Sequence, residues 1–233
     1  MKKVMIFVLI SSFSAAHGVV LIDDFTSGFS SLVDTTPTVN VTSFQSGLSN
    51  FGGTRAHFLG QTTAPLNGAS FSEVNGGFYG SNTPGSASFT RIHWGEAGIA
   101  GTNGVFGIDN NWDFSSNKIF RVYVSAASAG TQFKIDLVDI SYVSFTATQA
   151  FDVITLGSAI TTPTVLTFDF TDSPTFVQPG FNFGVVDSIW LSVGSPASGG
   201  YAINRVEAVP EPATMSALLL GAGMLVRRRR AGK

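Results

Sequence analysis

Apolar and polar positions alternate along much of this chain. In Lys118-Ile-Phe-Arg-Val-Tyr-Val-Ser125 one side carries Phe120, Val122 and Val124, and the other Arg121 and Tyr123. Phe133-Lys-Ile-Asp-Leu137 sets Phe133, Ile135 and Leu137 against Lys134 and Asp136. Thr164-Val-Leu-Thr-Phe-Asp-Phe170, Ser188-Ile-Trp-Leu-Ser-Val193 and Val39-Asn-Val-Thr-Ser-Phe44 follow the same period of two. Such runs, rich in β-branched and aromatic residues, predict strands with one buried face. No internal segment holds a long helical period.

Turn formers fall between the runs: Gly47 to Gly53, Gly76 to Gly80 and on to Pro84-Gly85, Asn103-Gly104, Asn110 to Asp113, and Pro179-Gly180. Ten or so short strands so punctuated predict an all-β fold, an antiparallel β-sandwich of the jelly-roll kind. Val19 to Phe25 and Tyr201 to Glu207 are expected to pair as neighbours, which would bring the two ends of the body together. The echo of Thr35-Thr-Pro-Thr-Val39 in Thr161-Thr-Pro-Thr-Val165 reads as two similar strand entries and not as a repeat.

Both ends break the pattern. Lys2 and Lys3 precede an apolar stretch, Val4 to Ile10, and Ser14-Ala15-Ala16 places small residues where a signal peptidase cuts. Residues 1–16 are therefore expected to be a signal peptide, with Gly18 as the alternative cleavage point. At the other end Pro210-Glu211-Pro212 is followed by an apolar run, Ala213 to Val226, and then Arg227, Arg228, Arg229 and Arg230. Each proline fixes its own φ and pushes its predecessor toward extended backbone, so Glu211 is expected on a stiff exposed segment. As a helix the apolar run would reach about 21 Å, short of the roughly 30 Å hydrocarbon core. The arginines would keep its C-terminal end cytoplasmic. A short run behind a rigid knot suits transient membrane insertion and removal better than permanent anchorage.

That three-part order, over about a tenth of the chain, resembles the PEP-CTERM sorting signal of Gram-negative bacteria. The resemblance implies recognition, and cleavage near Pro210, Glu211 and Pro212, by an exosortase. It also implies a destination in the envelope, on the surface or in an extracellular matrix rich in exopolysaccharide. The domain plan is then signal peptide 1–16, sandwich 17–208 and sorting tail 209–233.

Removing both ends changes the charge picture. Seven of the thirteen basic residues (Lys2, Lys3, Arg227 to Arg230 and Lys233) lie in these signals. The body keeps six against fourteen acids, a net −8, which argues against nucleic acid as a partner. Cysteine is absent, so an exported body must rest on its core and not on disulfides, and thiol chemistry is excluded.

Candidate chemistry is sparse. There are three histidines, His17, His57 and His93, without a Gly-x-Ser-x-Gly elbow or a His-Glu-x-x-His pair. Carboxylate pairs such as Asp136 with Asp139 supply no cleft geometry by spacing alone. A structural calcium is the better use of loop acids, with Asp109, Asn111 and Asp113 as one set of hard oxygen ligands and Asp23 with Glu207 as another. No other cofactor is implied. Trp112 and Tyr79, in Gly- and Asn-rich surroundings, are the candidates to stack on sugar rings, while Trp94 and Trp190 are assigned to the core. The body is loosely similar to carbohydrate-binding β-sandwich modules. The expected function is a non-catalytic surface or matrix protein, handled by signal peptidase and exosortase. A carbohydrate-binding module is the first alternative and a polysaccharide-active hydrolase or lyase the second.

Overall fold

The computed structural model describes residues 18–27, 31–34, 41–61, 69–74, 77–82, 88–95, 110–141, 146–172 and 174–211. The expected signal peptide, the C-terminal hydrophobic helix, Pro212, the arginine cluster, the Asn103-Gly104 turn and Asp109 lie outside them. Among the described residues there is no helix, and so none long and apolar enough to cross a membrane.

Two antiparallel sheets of seven strands face each other. Sheet I runs in the order β11 (Thr164–Asp169), β8 (Ile119–Ala127), β14 (Gly200–Val209), β6 (Gly77–Asn82), β5 (Ala69–Val74), β2 (Ser31–Asp34), with β1 (Val20–Asp23) also on β14. Sheet II runs β12 (Phe176–Val177), β10 (Thr146–Thr155), β9 (Gln132–Ser141), β13 (Ser188–Ser195), β7 (Ser88–Trp94), β4 (Thr54–Gln61), β3 (Val41–Ser46). Four antiparallel pairs nest inside one another: β9 with β10, β8 with β11, β7 with β13, β6 with β14. They fall alternately in sheets II, I, II and I. That is the long hairpin wrapped around a barrel axis that defines a jelly roll.

The alternation expected from the sequence decides which face is buried. Phe120, Val122 and Val124 of β8 point inward from sheet I, and Phe133, Ile135 and Leu137 of β9 with Ile189, Leu191 and Val193 of β13 meet them from sheet II. Full burial of each such side chain contributes about 1.5–3 kcal/mol. The expected pairing of the ends is present, with Val20 opposite Ala208 and Leu21 opposite Glu207. One expected turn is instead strand β6. Its glycines answer to close ring approach: a Cβ on Gly77 would fall 2.5 Å from the Tyr79 hydroxyl, and one on Gly80 2.2 Å from the Tyr201 ring.

The tail also leaves the fold differently from the exposed segment expected. β14 continues to Val209, Pro210 is buried, and Glu211 is held against residues 116–118. Its amide donates to the Ser116 carbonyl (3.3 Å) and its carboxylate lies 3.4 Å from Lys118 Nζ.

The sheets are bolted together by a buried ion pair. Asp23, at the end of β1, receives Arg55 Nε at 2.8 Å and Nη2 at 2.7 Å, and Trp94 Nε1 at 2.7 Å. Its oxygens also accept the Phe25 amide (2.8 Å) and Asn50 Nδ2 (3.3 Å). Asp23 and Arg55 are 1% and 0% exposed. The remaining Arg55 donors reach the Ser27 carbonyl and Gln45 Oε1, so both charges are well hydrogen-bonded inside the core. Removing either partner strands the other. Asp23→Asn and Arg55→Met should each cost about 3–5 kcal/mol, read as a lower urea midpoint, and the double variant should cost much less than their sum.

Candidate functional site

The outward side of sheet II carries an ordered set of rings and charges. In β13 the inward series Ile189, Leu191, Val193 turns Ser188, Trp190 and Ser192 to the other side, where Trp190 and Ser192 are half-buried and Ser188 is buried. In β7 the inward Ile92 and Trp94 turn Arg91 and His93 to that side, Arg91 half-buried and His93 buried. Directly opposed residues of antiparallel strands share a face. The register therefore lays Phe176, Phe151, Asp136, Trp190, His93, Ala56 and Phe44 in one row across all seven strands. A second row holds Val153, Lys134, Ser192, Arg91 and Phe58.

Within these rows the rings stack at close to the spacing of the strands, about 4.7–4.9 Å. Phe58 and His93 have centroids 4.5 Å apart, and His93 and Trp190 4.3 Å apart with planes 8° from parallel. Trp190 Nε1 donates to Ser188 Oγ (2.7 Å), which donates to the Trp94 carbonyl (3.0 Å). Arg91 Nε donates to Ser192 Oγ (3.1 Å), and the guanidinium carbon lies 5.5 Å from the Trp190 ring centre. Across β9, Lys134 Nζ sits 2.6 Å from Asp136 and 4.1 Å from the Phe151 centroid. Phe151 stacks in turn on the exposed Phe176 at 5.2 Å.

Electrostatics at the centre of the file follow from burial. Desolvation, then the neighbouring Arg91 and His57, push His93 well below the ordinary imidazole range, so it is neutral at pH 7. Desolvation raises the Asp136 carboxyl, opposed by Lys134 and Arg91.

Among the described residues, those singled out from the sequence lie elsewhere and are not brought together. Tyr79 is 40% exposed, on the outer side of sheet I, its ring folded over Gly77. Trp112 bridges to Val186 and lies against the core, where a Cβ on Gly52 or Gly95 would come within 2.9 or 2.4 Å of its ring. Both glycines have positive φ (81° and 93°), so the loop is shaped around the indole. Phe51 packs on it at 4.5 Å. Trp112 is thus partly buried by this packing.

Loop oxygens proposed for calcium serve the chain's own donors. Asp113 accepts the Ser115 amide and hydroxyl (2.8 and 2.5 Å). Asn111, at φ 50°, gives its amide to Asp187, which also accepts from Asn110 (3.1 and 2.9 Å). Asp23 faces inward to Arg55, whereas Glu207 faces outward, accepting from Tyr123 Oη (2.6 Å) and Arg205 (2.5 Å). Asp23 and Glu207 therefore do not meet. Among the described residues no three His, Cys, Asp or Glu converge as a metal site. His57 and Ser43 share a hydrogen bond of 3.2 Å inside the sandwich, where His57 is fully buried.

Trp190, expected in the core, is not a core residue. Trp94 is fully buried, while Trp190 is half-buried on the outside. The signal that locates it was present: Trp190 shares parity with Ser188 and Ser192, opposite the aliphatic series.

No family model matches the chain, and no curated protein matches it. Among solved structures it is similar to the family 11 carbohydrate-binding module of the cellulosomal cellulase Lic26A-Cel5E of Clostridium thermocellum, at 11% identity over 83% of this chain and 95% of that one, TM-score 0.41. It is also similar to the family 30 carbohydrate-binding module of the cellulosomal cellulase Cel9D-Cel44B of the same organism, at 14% identity, 83% and 98% coverage and TM-score 0.39. The fold assigned here rests on the strand pairings themselves.

Burial of neutral His93 makes stability depend on pH. Below about 6.5 the unfolded chain takes up a proton that the folded imidazole resists, so this contribution is present above that pH and is lost as pH falls. The raised Asp136 carboxyl acts in the opposite sense, its contribution present at low pH and lost as pH rises through its folded value. The urea midpoint of His93→Gln should fall less between pH 7 and pH 5 than that of the unsubstituted protein.

Proposed function

We propose that this chain is an exported, non-catalytic glycan-binding β-sandwich, and that the outer face of sheet II is its binding surface. The observation that carries the reading is the file Phe58–His93–Trp190, continued beyond the Lys134–Asp136 pair by Phe151 and Phe176. A sugar ring presents carbon-bound hydrogens on its faces and hydroxyls at its edge. An aromatic file with interspersed hydroxyl, guanidinium and ammonium groups offers a partner to each. The rings are set by the strand register, so the surface is pre-formed and binding orders few side chains. Asp136, almost completely buried beside Lys134, positions that ammonium in this reading and is not one of a catalytic acid pair.

The ends supply the route. Residues 1–16 direct export, and the segment from Pro210 onward acts as a sorting tail, cut by an exosortase-type enzyme after transient membrane insertion. The protein then works in the envelope or matrix, where polysaccharide is its partner.

Two measurements test these parts separately. Titration calorimetry against a panel of soluble polysaccharides should show saturable binding, weakened tenfold or more by Trp190→Ala and unchanged by Tyr79→Ala, with melting temperatures confirming both folds. Saturable binding that Trp190→Ala leaves intact would place the ligand elsewhere. Mass spectrometry of protein recovered from the native host should find mature chains beginning near His17 and ending near Pro210 to Pro212; a C-terminus intact through Lys233 would refute processing.

A further inference from the structure

The charges of the body are distributed in a way that bears on what kind of sugar this face takes. Its six basic residues stand against fourteen acids. Four are matched within it, Arg55 by Asp23 in the core, Arg121 and Arg205 by Glu207, and Lys134 by Asp136, and Lys118 pairs with Glu211 just beyond it. Arg91 is the sixth. Among the described residues its guanidinium stands in no ion pair; Nε is spent on Ser192 Oγ and the plane lies near the Trp190 ring. An acidic body had many carboxylates with which to neutralise it.

Position adds to this. Ser192 is directly opposite Arg91 on one side and Lys134 on the other, so two cations flank one hydroxyl in a single cross-strand row. At two strand spacings their backbones are about 10 Å apart, within reach of one or two adjoining sugar units for side chains of this length. Asp136, a carboxylate of this face, is almost completely buried with Lys134 Nζ 2.6 Å away, so it offers little repulsion to an arriving anion. With Nε tied to Ser192, the two Nη groups of Arg91 remain as a planar fork, the geometry that matches a carboxylate bidentately.

We infer that the outer face of sheet II takes an acidic glycan, with a uronate carboxylate on the Nη edge of Arg91 over Ser192 and its sugar ring packed beside Trp190. This inference rests on the glycan-binding reading above. Lys134 is the second anchor, for the carboxylate of a neighbouring unit. Affinity for such a chain should fall as salt rises, because both cations are partly exposed to solvent.

The test is calorimetry of the full chain with polygalacturonate, a neutral β-glucan, and polyglutamate as a polyanion without sugar rings. The uronate polymer should bind at least tenfold more tightly than the other two. Arg91→Gln should reduce uronate affinity tenfold or more and neutral-glucan affinity several-fold less than that, and Arg91→Lys should fall between, their melting temperatures serving as the folding control. Equal affinity for uronate and neutral polymers, or unchanged uronate binding in Arg91→Gln, overturns the acidic preference and leaves the glycan reading standing. Polyglutamate binding as tight as polygalacturonate overturns the sugar-specific inference in favour of simple anion adsorption. Absence of binding to every polysaccharide overturns both.

Discussion

The buried pair of Asp23 and Arg55 is the constraint on which the rest of this structure depends. Asp23 sits in a strand of four residues, β1, too short to hold a place in a sheet on its own ladder. Two charge-assisted bonds from Arg55 and one from the Trp94 indole fix it to β4 and β7 of the opposite sheet. β1 in turn lies along β14, the long strand that also pairs with β8 and β6. A single carboxylate thus ties the start of the body to both sheets and to the strand from which the C-terminal tail departs. Buried charge is expensive, and here the satisfied donors around it offset the cost while the geometry admits one arrangement of the ends.

The two outer faces then differ in kind. On sheet I, Arg121, Arg205 and Tyr123 gather around the nearly buried Glu207, and the cluster closes on itself. On sheet II the rings stand in file, and the cation beside Trp190 is left with donors to spare. Both faces are built on the same inward aliphatic ladders, so their outward residues are set at strand spacing with little freedom. In the proposed reading, that regular spacing is what an extended, repeating ligand meets on sheet II.

How much of this was legible in the sequence differs residue by residue. The alternation in β8, β9 and β13 survived intact because both faces of those strands are decided by one buried side. β6 was obscured by Gly77 and Gly80, which look like turn formers until Tyr79 and Tyr201 are seen to lie over them. Asp23 reads as a loose surface acid or calcium ligand because its partner Arg55 is thirty-two positions away. Trp112 looked like a sugar platform for the same reason: the glycines that cushion it, Gly52 and Gly95, come from distant loops. Trp190 was within reach of parity, but a chain with twenty-one phenylalanines makes every aromatic look like core. Long-range pairing, and not local propensity, separates what could be read from what could not.

The central claim is that one outer face, and not a loop cleft, meets the glycan. Mapping amide shifts of isotope-labelled protein during titration with a soluble acidic oligosaccharide tests it most directly. Perturbations confined to the strands of sheet II, from β4 and β7 through β13 and β9 to β10 and β12, with the Trp190 indole signal among the largest, are the predicted result. Perturbations concentrated on sheet I or around Trp112, or none at saturating ligand, would contradict it.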